Sequence, residues 1–327
     1  MSDVKKVSIL GWYGHGNLGD EAMLEGLQFL LEKFFGARKF NVMTDMPTTT
    51  VPQFNFDMAN DCDLFVYGGG EIIYPNYEFV SIKKWMQYVK PPKITVGCGV
   101  NAEIYEQFYQ DILEGLGEFK HIGLRDATAY SILSKDENLR GKLGLILDPS
   151  MVLREKYNMQ WENSDGVGVL IPTDRQDTRC DPGILKTNIV SVSQVSLKDL
   201  MIVDGIKKVI LVPFGKEDND DLVTCTQMQE FLSDRFDVSI REPTSIKDAL
   251  DIIGNCQRVY AYRLHGLILA HMLGAPYDYV PYHRKLQRVQ LTLQNLDYEK
   301  INFIMNSTWN RLKGIVEDKT NGLSRSE

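Results

Sequence analysis

Residues 5–35 have the sequence KKVSILGWYGHGNLGDEAMLEGLQFLLEKFF. KKVSIL is a short β-rich run, and the glycine-rich segment GWYGHGNLGD follows it. In the remainder, Leu24, Leu27 and Leu31 fall on one stripe of a helix. A strand that ends at glycines and leads into a helix is the repeating unit of a parallel sheet with crossover helices. This stretch therefore predicts an α/β fold.

The same unit recurs along the chain. In the first half it appears as FNVMTD, DLFVYGGG, KITVGCGV and HIGLRD, and after a polar segment near residues 154–165 a second series runs through GVGVLIP, KKVILVPFG, DVSI and RVYAYR. We predict two doubly wound Rossmann-like domains, residues 1–158 and 159–318, with a cleft between them and a flexible tail at 319–327. Open sheets of this kind bind ligands at the carboxyl ends of their strands.

The composition excludes several classes of protein. The chain has 327 residues, a net charge of -8 and a pI near 5.3, whereas binding to nucleic acid normally needs a basic face, so we expect no nucleic-acid partner. No apolar run approaches the ~20 residues of a membrane span, and we expect a cytoplasmic protein. The five cysteines are odd in number and far apart, which predicts neither a disulfide framework nor a metal site.

Residues 14–19, GHGNLG, match the dinucleotide fingerprint G-x-G-x-x-G. However, Asp20 and Glu21 follow directly and place carboxylates where a diphosphate needs positive potential, which argues against a nicotinamide cofactor. One interpretation is a tight turn into a helix whose first turn favours these acids. The functional alternative is that His15, Asn17, Asp20 and Glu21 form a polar rim for a polyhydroxylated ligand.

Glycines also follow the third and fourth predicted strands. In GGGE, residues 68–71, Gly69 and Gly70 let the backbone approach a ligand closely, and Glu71 projects a carboxylate into the crevice. The alternative is a flexible turn with a solvated Glu. Cys98, in the following GCG, has neither a second Cys nor a His beside it and is expected to be a packing residue.

The next strand end carries Arg125 and Asp126. Asp126 is placed to cap a helix over residues 127–133, and the role of Arg125 stays open.

Arg263-Leu264-His265-Gly266 is the strongest functional signal. It follows the strand RVYAY and precedes the apolar helical run LILAHML. Residues two apart at a strand end point to the same side, so Arg263 and His265 can face one ligand. A fixed positive charge beside a titratable imidazole suits an anion that is held and protonated. The alternative is a capping or buried core histidine, and His271 is expected to be structural.

Further cations follow neighbouring strands. Lys285 ends the basic cluster YHRK at residues 282–285, after the apolar strand end DYVPY. Arg175 and Arg179 follow GVGVLIPTD and can add positive potential from the facing edge. Each of these residues can equally be loop surface.

Taken together, GWYGHGNLGDE, GGGE, LRD, LDPS, VPFGKED and RLHGLILAHMLGAP followed by YHRK resemble the polysaccharide pyruvyl transferase family over roughly residues 7–290. The resemblance implies a GT-B-like arrangement of the two domains. It also implies transfer of an enolpyruvyl-derived unit from phosphoenolpyruvate to two hydroxyls of a sugar, giving a cyclic pyruvate ketal and phosphate. The acceptor is then a polysaccharide or its precursor, which can be lipid-linked, in exopolysaccharide or cell-envelope synthesis. No cluster of His, Cys and Asp is apparent in the sequence, so we expect no cofactor or metal ion to be required.

The resemblance also implies residue roles. The family's R-L-H motif handles phosphoenolpyruvate and matches Arg263 and His265, and an Arg early in the second domain matches Arg175 or, less well, Arg179. Lys285 matches the last position of the family's Y-D-x-K pattern, whereas His283 replaces its acid.

Charge also predicts which domain binds which substrate. An acidic donor suits the basic second domain, and a neutral sugar suits the glycine-rich first domain. We expect His265 to protonate the enol methylene carbon, and Arg263, Arg175 and Lys285 to hold the anion and the departing phosphate. Either Glu21 or Glu71 accepts the hydroxyl proton.

Two rival functions are a nucleotide-sugar-dependent GT-B glycosyltransferase and a catalytically silent carbohydrate-binding relative.

Overall fold

The structure is a computed structural model that describes residues 4–73, 85–100, 109–173, 197–215, 221–279 and 284–320. Contacts divide the chain into two compact units. Unit 1 comprises Met1–Gly14, Asp20–Val152 and Glu299–Glu327, and unit 2 comprises His15–Gly19 and Leu153–Tyr298. Each unit combines segments that are apart in sequence. The predicted domains 1–158 and 159–318 are continuous segments, and they stay predictions.

The regular elements alternate along the chain as the sequence patterns predict. The described strands are β1 Lys6–Leu10, β2 Lys39–Met43, β3 Leu64–Ile73, β4 Lys93–Val100, β5 His121–Leu124, β6 Leu143–Leu145, β7 Val167–Ile171, β8 Lys208–Leu211, β9 Asp237–Ile240, β10 Arg258–Ala261 and β11 Tyr277–Tyr279. The described helices are α1 Leu18–Phe35, α2 Phe56–Asn60, α3 Tyr109–Gly117, α4 Ala127–Leu133, α5 Glu137–Arg140, α6 Leu153–Tyr157, α7 Leu197–Val203, α8 Asp221–Leu232, α9 Ile246–Gly254, α10 Leu264–Leu273, α11 Arg284–Leu293 and α12 Tyr298–Thr320. A 3-10 turn at Pro149–Val152 precedes α6.

Unit 1 is built on a parallel sheet with the strand order β2-β1-β3-β4-β5-β6. Its central strands are apolar on both faces, and Val7, Ile9 and Phe65 are fully buried. This near-continuous apolar pattern is typical of parallel strands that are covered by helices on both sides. Leu27 and Leu31 of α1 are also fully buried, so the helical stripe predicted from the sequence is the face that packs on the core.

Unit 2 has a second parallel sheet, with the order β11-β10-β7-β8-β9. Its central strand β7 pairs with β10 on one side and β8 on the other. The helix that follows β10 is α10, which is apolar all round and buried except for His271. The predicted α/β class, with two Rossmann-like parallel sheets, is confirmed.

The strand order of each sheet reverses at one point. In unit 1 the chain runs from β1 outward to β2 and then returns to the other side of β1 at β3. In unit 2 it runs from β7 through β8 to β9 and then returns beside β7 at β10. Open α/β sheets bind ligands in the crevice outside the carboxyl ends of the strands at such a switch point. These two positions are therefore where functional side chains are expected.

The prediction of where two strands end was wrong. β3 continues through the triple glycine to Ile73, and β4 continues through GCG to Val100, so GGG is not a turn. Gly69 and Gly70 have φ of 80° and 90°, and the pairing with β4 shifts register between Gly70 and Ile73. The glycines thus form an irregular strand segment with a backbone that a side chain would strain.

Helices α11 and α12 follow the second sheet. Helix α12 runs to Thr320, two residues into the predicted tail, and residues 321–327 lie outside the described residues. None of the described helices is both long enough and apolar enough to cross a membrane.

Candidate functional site

The switch point of unit 2 lies where β10 leads into α10. Arg263 is the N-cap of this helix and makes no side-chain capping hydrogen bond. A Cβ on Gly266 would lie 2.9 Å from Ile171 Cδ1, so the glycine lets α10 lie close against β7. The first backbone N–H groups of a helix and its dipole favour an anion at this end. The fold thus fixes a helix N-terminus at the expected ligand position.

Arg263 is held by a buried carboxylate. Its Nε donates to Asp221 Oδ2 at 2.9 Å, and its Nη2 donates to Asp221 Oδ1. Asp221 is fully buried and also accepts hydrogen bonds from the backbone N–H groups of Phe214 (3.1 Å) and Gly215 (2.7 Å). A planar guanidinium paired in this bidentate way has a fixed orientation. The pair uses two of the five N–H donors of the guanidinium, one on Nε and one on Nη2.

His265 lies directly against the glycine loop of α1. A Cβ on Gly19 would lie 2.1 Å from His265 Nδ1, so only glycine fits there. The loop is fixed in unit 2 because the backbone N–H of Leu18 donates to Phe214 O at 2.8 Å. The structure therefore brings together the two most specific motifs of the sequence, GNLG and RLHG, within one unit.

Burial of this pair is high. Arg263 is 6% exposed and His265 is 8% exposed. Such values fit the core-histidine interpretation as well as the catalytic one, so burial does not separate the two. The position of both residues at the helix N-terminus and the switch point favours the functional interpretation.

In unit 1, the switch point between β1 and β3 carries the glycine segment. The phenol of Tyr13, which is fully buried, donates to Gly68 O at 2.5 Å and ties the end of β1 to β3. A Cβ added to Gly70 would lie 3.9 Å from Asp20 Oδ1. Asp20 and Gly70 therefore lie close together at this strand end, and Glu71 follows half-buried in β3.

Glu21 lies in the same region and has a perturbed pKa. Its Oε1 accepts a hydrogen bond from the backbone N–H of Gly14 at 2.6 Å. Burial raises the pKa of this carboxyl above its ordinary value, and the Gly14 hydrogen bond offsets part of that effect. A half-buried carboxylate with a raised pKa is a stronger base than an exposed one, which favours Glu21 as a proton acceptor.

Other predicted site residues have different surroundings. Asn17 Oδ1 accepts a hydrogen bond from the Gly19 N–H at 3.0 Å and so caps α1. Lys285 is half-buried in the first turn of α11, which follows β11 at the edge beside β10. Arg175, Arg179 and His283 lie outside the described residues. The strand that precedes Arg175 is β7, the hydrogen-bonded neighbour of β10.

Asp221 is a site residue that sequence reasoning missed. It follows VPFGKED, one of the motifs of the family resemblance, and nothing in the sequence indicates that α8 faces Arg263. The available signal was an acidic residue at the start of a helix. By itself, this predicts only that the carboxylate interacts favourably with the helix dipole.

Arg125, whose role was left open, is buried at the end of β5. Its Nη1 lies 3.9 Å from Asp148 Oδ2, and its Nε has no hydrogen-bond partner among the described residues. A Cβ on Gly99 would lie 3.3 Å from that Nε, so the guanidinium packs on the end of β4. A buried cation at the carboxyl ends of two strands is a further candidate for contact with an anion.

Three residues have the structural roles that the sequence predicts. Asp126 Oδ1 accepts from the Ala129 N–H at 2.8 Å and caps α4. Burial raises the pKa of Cys98 to about 11, so the thiol stays protonated and is a poor nucleophile. His271 hydrogen-bonds through Nε2 to Leu296 O at 2.6 Å, away from the start of α10. Within the described ranges, no group of three or more His, Cys, Asp or Glu side chains is arranged to hold a metal ion.

Comparison with known proteins shows the family of this chain. The family model for polysaccharide pyruvyl transferase matches residues 17–277. A search of the curated proteins gives no match.

Solved structures with a similar fold include UDP-GlcNAc 2-epimerase from Methanocaldococcus jannaschii in complex with UDP-GlcNAc and UDP (10% identity, TM-score 0.55, covering 96% of this chain and 99% of that chain). A second is a putative UDP-N-acetylglucosamine 2-epimerase from Listeria monocytogenes (11% identity, TM-score 0.56, 94% and 87%). A third is an alpha-glucosyltransferase in complex with UDP and DNA (9% identity, TM-score 0.50, 96% and 94%). At such identities the likeness shows the fold alone.

The fold class is therefore GT-B-like, with two Rossmann-like parallel sheets. The family match spans most of the chain, beginning at Asn17 within GNLG and including RLHG. This chain belongs to the polysaccharide pyruvyl transferase family, and it is a transferase with a sugar or polysaccharide acceptor.

Proposed function

We propose that the protein transfers the enolpyruvyl-derived unit of phosphoenolpyruvate to two hydroxyls of a sugar, forming a cyclic pyruvate ketal and releasing phosphate. The observation that carries this proposal is the placement of Arg263 and His265 at the N-terminus of α10, at the switch point of unit 2. A small anion with a carboxylate and a phosphate is the ligand that this combination of cation, imidazole and helix N-terminus suits.

In the proposed mechanism His265 is the general acid. It protonates the methylene carbon of phosphoenolpyruvate, which develops oxocarbenium character at the central carbon. One sugar hydroxyl adds to that carbon and loses its proton, the bond from carbon to the phosphate oxygen breaks, and the second hydroxyl then closes the ketal. Of the two hydroxyl protons, one is taken by the carboxylate base and returned through solvent to His265, which restores the proton given to the methyl group, and the other leaves on phosphate.

The cations have a separate role in this proposal. Arg263 holds the donor, and Lys285 and Arg175 neutralise the departing phosphate. Glu21 accepts the proton of the attacking hydroxyl, because its raised pKa makes it a better base than an exposed carboxylate. Glu71 is the alternative base. The reaction requires no cofactor and no metal ion.

Phosphate release from phosphoenolpyruvate, measured across a panel of acceptor glycans, tests the proposal. We expect release only with an acceptor, and a fall of about 10²–10⁴-fold for His265→Ala. His271→Gln is the matched control, because this second histidine of α10 points elsewhere.

Failure of every acceptor, together with turnover of UDP-sugars, would instead establish the glycosyltransferase alternative. That alternative takes its support from the fold of the UDP-GlcNAc 2-epimerases and the alpha-glucosyltransferase. Acceptor binding without turnover of either donor would identify a silent carbohydrate-binding relative.

A further inference from the structure

Asp221 is hydrogen-bonded to two parts of the unit 2 site that are far apart in sequence. It pairs with Arg263, whose Nε donates to Asp221 Oδ2 at 2.9 Å. The same oxygen accepts from the backbone N–H groups of Phe214 at 3.1 Å and Gly215 at 2.7 Å, and the backbone N–H of Asp221 donates back to Gly215 O at 3.2 Å. One buried carboxylate therefore fixes both the guanidinium and the backbone at Phe214 and Gly215.

The peptide group that joins Phe214 to Gly215 connects Asp221 to the glycine loop. The N–H of this group is the Gly215 donor that Asp221 binds, and its C=O is the Phe214 oxygen that accepts from the Leu18 N–H at 2.8 Å. In a planar trans peptide the N–H and the C=O point in opposite directions and cannot turn independently of each other. The carboxylate that orients the N–H therefore also orients the carbonyl that holds Leu18.

Leu18 in turn positions the residue that touches His265. Gly19 directly follows Leu18, and its N–H is bound by Asn17 Oδ1 at 3.0 Å. A Cβ on Gly19 would lie 2.1 Å from His265 Nδ1 and 2.8 Å from its Cβ, so the backbone of the loop and the imidazole are in direct contact. The space that the imidazole occupies therefore depends on where the loop is held. The loop, the two functional residues and Asp221 all belong to unit 2.

We propose that Asp221 is a positioning residue for both functional side chains of unit 2. It orients Arg263 directly, and it acts on His265 through the peptide group after Phe214 and through the glycine loop. A donor held by the cation then lies at a fixed distance from the acid, as proton transfer requires, because a displacement of about 1 Å costs about 10²-fold in rate. The proposal rests on the proposed function for the chemical roles of Arg263 and His265, and the positions themselves do not depend on it.

Asp248 provides a comparison elsewhere in the same unit. It lies in the first turn of α9, accepts a hydrogen bond from the backbone N–H of Thr244 at 3.0 Å and pairs with Arg241 at 2.7 Å. Helix α9 follows β9, and β7 and β8 separate that strand from β10. The Asp248 side chain is 21% exposed, whereas Asp221 is fully buried. Asp248 therefore has the same kinds of partner as Asp221 at a position remote from the start of α10.

The first test compares two substitutions of the carboxylate by histidine NMR on the full chain. Asp221→Asn and Asp221→Ala remove the same charge, but only the amide retains an oxygen that can accept from the N–H groups of Phe214 and Gly215. The chain has five histidines, and the His265 signal is the one that is lost in His265→Gln. We expect Asp221→Ala to displace this signal more than Asp221→Asn does, and the Asp248→Ala control to leave it at the parent position.

The second test removes one hydrogen bond and leaves Asp221 in place. Leu18 is the first residue of α1, where proline is tolerated because the N–H has no partner within the helix. Leu18→Pro therefore deletes the donor to Phe214 O, and Leu18→Ala, the matched control, keeps it. We expect the proline variant to displace the His265 signal and to lower kcat for phosphate release by about 10²-fold with little change in KM for phosphoenolpyruvate, and the alanine variant to stay close to the parent.

The His265 signal decides the proposal without an assay of activity. An unchanged His271 signal shows that a variant is folded, and the Leu18 pair decides the case if Asp221→Ala is not. Equal displacement in Asp221→Ala and Asp221→Asn, or an equal His265 signal in Leu18→Pro and Leu18→Ala, would overturn the positioning role. If the signals respond as expected and no acceptor supports phosphate release, the proposed function fails and the positioning role stands.

Discussion

At the carboxyl ends of β1 and β3, unit 1 presents Asp20, Glu21 and a glycine backbone with positive φ. At the carboxyl ends of β7 and β10, unit 2 presents Arg263 and His265 on a helix N-terminus. The two sheets have the same parallel architecture and the same kind of switch point, yet the groups placed there differ in charge. The fold therefore determines where a ligand binds, and the residues after each strand determine which ligand it is.

The two sites also differ in how their charged groups are held. Arg263 is fixed by a fully buried carboxylate with backbone donors behind it, whereas Glu21 is fixed by one backbone N–H. We expect the unit 2 site to be the more sensitive of the two to substitution.

The largest effect is expected for Asp221→Ala, which leaves the buried guanidinium of Arg263 without its carboxylate. Breaking one partner of a buried ion pair costs about 3–5 kcal/mol, and loss of the fixed guanidinium should lower the rate of phosphate release by about 10²–10³-fold. Denaturant unfolding and the phosphate assay measure the two effects.

The double variant Asp221→Ala/Arg263→Ala checks the cause. It should be destabilised by less than the sum of the single variants, because neither charge is then left unpaired. Strict additivity would show that the pair does not act as a unit.

The next largest effect is expected for Gly19→Ala. The added methyl group would occupy the place of the His265 ring, so the imidazole must move, and a displacement of about 1 Å costs about 10²-fold in rate. Gly314→Ala in α12 is the control, since no atom lies within 4 Å of a Cβ there. Equal activity of the two variants would contradict the assigned position of His265.

A smaller effect is expected for Glu21→Gln in unit 1. If Glu21 is the base, the parent loses activity as the pH falls through a pKa that burial holds above the ordinary Glu value of about 4.3. The carboxylate is the active form, so this limb lies on the acid side of the pH profile of kcat/KM. In the variant we expect the acid-side decrease of kcat/KM to disappear and the rate to fall about tenfold or more.

Glu71→Gln serves as the comparison for that measurement. If the acid-side decrease of kcat/KM stays in Glu21→Gln and disappears in Glu71→Gln, Glu71 is the base.

The smallest effect is expected for Cys98→Ala. The raised pKa of this buried thiol means that it should not react with iodoacetamide at pH 8, and phosphate release should stay within about twofold of the parent. Rapid alkylation with loss of activity would show that the thiol is exposed to reagent during turnover.

Much of this fold is predictable because parallel sheets have local signatures. The predicted apolar runs became strands β1 to β5 and β7 to β10, and the leucine stripe after β1 became α1. The position of Asp126 alone identifies it as a cap. The prediction failed at Gly68–Gly70, because glycine has low strand propensity although the backbone there still pairs with β4.

The candidate site was predictable only in part. The RLHG motif alone predicts a cation and an imidazole that face one anion. The contact of His265 with Gly19 and the pairing of Arg263 with Asp221 depend on strand order. Sequence gives the order of elements along the chain and not which strands become neighbours in the sheet. The partners of a predicted residue therefore come from the structure.

The last helix has a consequence for biosynthesis. Residues 299–327 belong to unit 1, and the buried ring of Trp309 covers Phe34 and Phe35 of the first helix. A ribosome making the chain from its amino end has produced every segment of unit 2 before this helix emerges. The unit that starts first is thus completed last, and until this helix has been synthesised the rings of Phe34 and Phe35 lack their contact with Trp309.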